Sequence, residues 1–148
     1  MTTRASQFPS LPPQRLERWA NFGRWDQTYF PRLLGIEVVE IRDGYCRMHL
    51  PWRFELTQPA GVVHGGVVAS LLDSVVVPAI GGGYDEAVRF ATVDLHVQYQ
   101  GAVVQQDMVA EGWVTRRGRS VVFCEAEVAA GDAVVARAMM TYRVSPPR

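Results

Sequence analysis

Asp73 stands inside an apolar run, Gly65-Gly-Val-Val-Ala-Ser-Leu-Leu-Asp73, whose other members are almost all aliphatic or small. Burying an unpaired carboxylate costs several kcal/mol or shifts its pKa, so an acid in such a stretch points to a task. In apolar surroundings it becomes a better base, which suits general-base or nucleophilic chemistry. The alternative is a core acid satisfied by a hydroxyl such as Ser70, Ser74 or Thr92. Eight residues before it, Gly65 and Gly66 open the same run. If the run is a helix, its free N-terminal N–H groups attract negative charge, and glycines let a ligand approach the backbone closely. Packing of the helix entry would equally ask for glycine. His64, just ahead, reads first as a brace for the turn and second as a reacting group. Arg116, Arg117 and Arg119 surround Gly118, and Arg89 is a further candidate of the same kind. Such a cluster is by default a solvated turn, but it can also pair with phosphates.

Composition narrows the class. A chain of 148 residues is one ordinary domain with room for a sizeable core. Its formal charge is zero, which gives no reason to expect a nucleic acid or an anionic membrane surface as partner. No hydrophobic run follows Met1-Thr-Thr-Arg-Ala-Ser-Gln, and no stretch is long enough to span a bilayer, so the expected compartment is the cytoplasm. Cys46 alternates with Met48 and Leu50, and Cys124 with Val122 and Ala126, as small core residues of strands do. Neither a disulfide framework nor a metal-ligand spacing is present. His96 shares a strand face with Asp94 and Gln98, yet that pattern fits no usual metal site.

These groups need elements to position them. The first ten or so residues read as a loose leader, and Leu11-Pro12-Pro13 marks a helix start. Leu16, Trp19, Phe22, Trp25 and Tyr29 recur at near-helical spacing until Pro31, giving an aromatic face that should dock on apolar surface. Gly35 to Glu40 and Tyr45 to Leu50 flank the turn dipeptide Asp43-Gly44 and predict a hairpin. Apolar residues at 67/68, 71/72, 75/76 and 79/80 predict one buried helix from Gly65 to about Ile80, bent or ended by Pro78. Strand patterns follow at Arg89 to Gln100, Gln105 to Arg116, Arg119 to Ala130 and Ala133 to Val144, with turns at Arg117-Gly118 and Gly131-Asp132. Hairpin-linked strands imply an antiparallel sheet, and a helix apolar nearly all round must be wrapped by it. The expectation is an α+β fold of about five to six strands, with residues 1–31 as leader and helix and 32–148 as a single domain.

The string Gly61-Val-Val-His64-Gly65-Gly66, with Gln58 before it, Leu71-Leu72-Asp73 after it and Thr92-Val-Asp-Leu-His-Val-Gln-Tyr99 further on, resembles the hotdog-fold acyl-CoA thioesterases of the phenylacetate-degradation (PaaI-like) type. The resemblance covers roughly residues 33 to 144 and leaves the first helix outside. It implies hydrolysis of an acyl-CoA to a free acid and coenzyme A, with no bound cofactor. Asp73 would be the general base on water or the nucleophile on the thioester carbon. The N–H groups of Gly65 and Gly66 would hold the developing oxyanion, and without side chains both would let the substrate approach the backbone closely. Gln58 would orient the water or the leaving thiol, His64 would hold the loop near the thioester sulfur, and Thr92 would support the acid. Arg89, Arg116, Arg117 and Arg119 would meet the coenzyme A phosphates. Trp19, Phe22, Trp25 and Trp52 are candidates to close an apolar acyl pocket.

Helix geometry adds an expectation of its own. Eight residues at about 1.5 Å rise separate Gly65 from Asp73 by roughly 12 Å, too far for one carbonyl to touch both. A shared site therefore needs two chains, with Gln58, His64 and Gly65 from one and Asp73 and Thr92 from the other, in a homodimer or dimer of dimers. Two competing functions are a hotdog hydratase or dehydratase, whose hydratase motif is absent here, and a non-catalytic acyl-CoA binding module.

Overall fold

A computed structural model describes residues 3–147. The Asp43-Gly44 turn joins β1 (Glu37–Arg42) to β2 (Tyr45–Leu50), and the four later patterns form β3 (Arg89–Tyr99), β4 (Met108–Arg117), β5 (Val121–Ala130) and β6 (Ala133–Ser145). These six strands make one antiparallel sheet in the order β1-β2-β4-β5-β6-β3, so β1 and β3 are its edges. Cys46, Met48 and Leu50 on β2, Ala110 on β4, Val122, Cys124 and Ala126 on β5, and Ala136, Ala138, Met140 and Tyr142 on β6 are all buried, as alternation demands of the face turned to the core.

Helix α3 (Gly65–Gly81) fills that face. It buries Val68, Leu71, Leu72, Val75, Val76, Ala79 and Ile80 and leaves Ser70, Asp73, Ser74 and Val77 half-buried on one stripe. The sheet wraps the rest, as its all-round apolar pattern requires. Pro78 does not end the helix. Burial of Pro78, Ala79 and Ile80 holds the last turn in place, and the Arg117 guanidinium donates to the Ile80 carbonyl at 2.9 Å. Packing and a side-chain cap here outweigh the missing proline donor.

The N-terminal region departs further from the periodicity. The expected helix up to Pro31 breaks into α1 (Pro13–Ala20) and α2 (Phe30–Leu34), with the chain turning between them through Gly23 at φ +85°. Pro31 lies at the start of α2 rather than at the end of α1, where its fixed φ suits a first turn. The aromatic side chains nevertheless remain in sequence contact: Phe22 meets Trp25 at 5.0 Å and Trp25 meets Tyr29 at 5.4 Å, both edge to face. Trp19 seats on the end of α3 so closely that a Cβ at Gly81 would lie 1.9 Å from its ring.

The leader is also not loose where the structure describes it. Arg4 lies over the Trp113 ring at 4.2 Å and pairs with Glu127 at 2.8 Å, and Phe8 stacks on Tyr45 at 5.4 Å. Charge and aromatic complementarity dock this segment on the outer face of the sheet, where hydrophobic periodicity gave no signal. Glu111, buried there, accepts a hydrogen bond from the Tyr45 hydroxyl at 2.8 Å.

Candidate active site

His64 is the residue before the first turn of α3, and its backbone is extended (φ −61°, ψ 133°). Its Nδ1 accepts the Gly66 N–H at 2.8 Å, which makes the imidazole a helix cap. The Gly66 donor is thereby satisfied. Gly65 N–H has no acceptor among the described residues and points out of the helix start, half-buried. An imidazole that accepts at Nδ1 carries its proton on Nε2, and His64 is an exposed residue.

The loop ahead is held by its own backbone. Thr57 bridges Val63, Gln58 N–H donates to Val62 at 2.8 Å, and His64 N–H donates to Leu56 at 2.8 Å. Gln58 sits half-buried in this turn with its side-chain oxygen accepting the Ala60 N–H, which leaves the amide nitrogen as its outward group. Downstream, Tyr99 at the end of β3 donates its hydroxyl to the Gly65 carbonyl at 2.8 Å.

Asp73 lies two turns further along α3, half-buried on the polar stripe. Thr92 on β3 donates to its Oδ1 at 3.0 Å. Tyr142 on β6, directly opposite Thr92 in the strand register, donates to the same Oδ1 and lies 2.7 Å from the Asp73 carbonyl oxygen. Burial first, then the Asp73 carboxylate, push the Tyr142 hydroxyl far above the usual tyrosine range, so it remains a donor. Sequence reasoning missed Tyr142 and Tyr99. The signal for Tyr142 was available, since a phenol on the core face of a strand must find a partner.

The arginines do not form one group. Arg117 caps α3 and lies 5.0 Å over the Tyr84 ring, Arg89 Nε donates to Pro146 at 3.1 Å, Arg119 lines a cavity of about 300 Å³ with Tyr84, Val88 and Val144, and Arg116 is exposed. All belong to the Asp73 half of the molecule, away from Gly65. His96 and Gln98 face the outer side of the sheet, where they line a separate cavity of about 490 Å³ with Trp113 and Arg137. No group of three or more His, Cys, Asp or Glu among the described residues is placed to share a metal ion. Cys46 and Cys124 are free and buried, and burial pushes the Cys124 thiol up to about 12. Trp52 is half-buried at the loop entry, its backbone N–H donating to Asp107 at 2.8 Å. No described helix is long and apolar enough to cross a membrane.

Comparison with known proteins identifies the family and the fold. Residues 60–137, more than half of the chain, match the sequence profile of the Thioesterase superfamily. The structure of a protein from the thioesterase superfamily superposes with a TM-score of 0.77 at 30% identity, covering 88% of this chain and 98% of that one. The E. coli PaaI protein from the phenylacetic acid degradation operon shares the fold, with a TM-score of 0.79 at 14% identity over 90% of this chain and 95% of that one. A candidate esterase of Saccharolobus solfataricus is 27% identical over 116 residues, 75% of this chain and 77% of that protein. Hotdog architecture and a hydrolase of the esterase or thioesterase type follow, and the chain belongs to the thioesterase superfamily.

Proposed function

We propose that this protein is an acyl-CoA thioesterase that works as a homodimer with two shared sites. One observation carries the reading: β3 is an unpaired edge strand that binds Asp73 through Thr92 near its start and Gly65 through Tyr99 at its end. Antiparallel pairing of two such edges about a two-fold axis brings the Gly65 end of one chain beside the Asp73 end of the other. A long free edge with Val93 and Tyr99 exposed is also a surface that proteins rarely leave uncovered.

In the shared site, the thioester carbonyl oxygen meets the free Gly65 N–H at the positive end of α3, with Nε2–H of His64 as a second donor. Asp73 of the other chain takes a proton from water, whose oxygen forms a bond to the carbonyl carbon while the C=O electron pair moves to oxygen. As the tetrahedral intermediate collapses, the C–S bond breaks and the thiolate leaves, recovering the proton. The outward amide of Gln58 orients the water or the leaving thiol. Direct attack by Asp73, giving an anhydride that water then hydrolyses, uses the same groups. Arg89, Arg116 and Arg119, at the Asp73 end, are the cations available to the coenzyme A phosphates, whereas Arg117 serves α3. Val77 and Phe90, with Trp19 5.7 Å from Phe90, offer the apolar wall next to Asp73 for the acyl group. Free buried thiols suit a reducing compartment, and we place the activity in the cytoplasm. The reaction needs no bound cofactor.

The test is detection of free coenzyme A thiol over short, medium, long and aromatic acyl-CoAs, with Asp73→Asn as control. Thiol release that falls at least about 100-fold in the variant supports the reading. Absence of release from every acyl-CoA, or an Asp73→Asn protein as active as the parent, overturns it.

A further inference from the structure

Both donors that reach the Asp73 carboxylate reach one oxygen. Thr92 and Tyr142, side by side on β3 and β6, each donate to Oδ1, and among the described residues no donor or cation reaches Oδ2. We infer that Tyr142 is a positioning residue for the reaction: with Thr92 it anchors Oδ1, so that Oδ2 alone is presented to take the proton of water or to attack the thioester carbon. This inference rests on the thioesterase reading above.

The geometry gives Tyr142 more to do than fill space. The residue is 2% exposed, and its single hydroxyl proton lies within reach of two acceptors, Oδ1 and the Asp73 carbonyl oxygen at 2.7 Å. An ionised carboxylate is the stronger acceptor, so the O–H points to Oδ1 while Asp73 is charged. Once Oδ2 carries a proton, the carbonyl competes better and the O–H can turn to it. The hydroxyl thus follows the charge on Asp73 through the cycle without giving up its own proton. It also holds the helix at the acid, since one phenol bonds both the side chain and the backbone of residue 73.

Few other groups can interfere. Tyr142 is the titratable side chain bonded to this carboxylate among the described residues, and the Cys124 thiol on β5 lies near the Tyr142 hydroxyl. Both remain neutral where a carboxylate titrates, because burial raises each of them. No arginine or histidine bonds to Asp73 among the described residues.

A purely structural tyrosine and a positioning tyrosine differ in how Tyr142→Phe divides its effect between kcat and KM. The experiment measures kcat and KM by thiol release beside urea denaturation of the same variant. Loss of an anchor on the acting carboxylate should lower kcat about tenfold, with KM within about twofold. A folded Tyr142→Phe protein with parental kcat overturns the inference. Should that variant fail to fold, the parent and Asp73→Asn proteins labelled at tyrosine Cζ serve instead. The Tyr142 resonance must then differ between the two, and the same position in both overturns the inference equally. Full thiol release by Asp73→Asn would sink the thioesterase reading itself, whereas an inactive Asp73→Asn beside an unchanged Tyr142→Phe sinks only the role of Tyr142.

Discussion

Tyr99 and Gly65 are joined by a 2.8 Å hydrogen bond that ties the last residue of edge strand β3 to the first residue of α3. The Tyr99 ring also packs where a Gly65 side chain would sit, 3.4 Å from an added Cβ. The residue that carries the free amide at the helix start is therefore held in place by a strand residue. Tyr99→Phe should cost about 1 kcal/mol of stability or less, because the bond is exposed. Thiol release should fall further than that loss explains, since the Gly65 N–H becomes less well oriented. Urea denaturation and kcat/KM measured on the same preparation check both parts.

Shared sites predict complementation. Asp73→Ala and Gln58→Ala proteins, each inactive alone, should regain activity when unfolded together and refolded. Random pairing makes half the dimers mixed, each with one intact site, so about a quarter of parental activity is expected. Recovery no greater than the sum of the separate variants would exclude a site built from two chains.

The close seat of Trp19 on α3 predicts a coupled pair. Gly81→Ala places a methyl 1.9 Å from Trp19 Cζ2 and should destabilise by about 1–3 kcal/mol. In a Trp19→Ala background the same change should cost clearly less, and additive costs in a double-mutant cycle would contradict the contact.

Acid should weaken the loop entry through Asp107. The Trp52 N–H, and after it His49 at 3.0 Å, hold this carboxyl below the usual aspartate range. A depressed folded pKa gives stability that is full above the unfolded value of about 3.9 and is lost as pH falls through the lower folded value. Because the group is exposed, the effect is small and screened by salt. Asp107→Asn should be less stable than the parent at pH 7, and the gap should close below about pH 4. Chemical denaturation across that range decides it, and an equal gap at pH 2 and pH 7 would refute the assignment.

Period and punctuation alone determined the six strands, the Asp43-Gly44 hairpin, the single buried helix and the presence of Gly65 and Asp73 on it, because alternation and helical recurrence are local properties of the chain. Spacing also showed that one carbonyl cannot reach both residues. Only the tertiary structure decided which strand pairs with which, that β3 crosses to the far edge, and that Pro78 stays within α3. It also decided that the aromatic run breaks after Ala20, that Arg4 and Phe8 dock on the sheet, that His64 satisfies Gly66 and leaves Gly65 free, and that Tyr142 and Thr92 converge on one oxygen of Asp73. Apart from the His64 cap, which is local, each of these depends on residues far apart in the chain whose hydrogen bonds and packing exist only once the sheet has closed around the helix, and no local pattern encodes such distances.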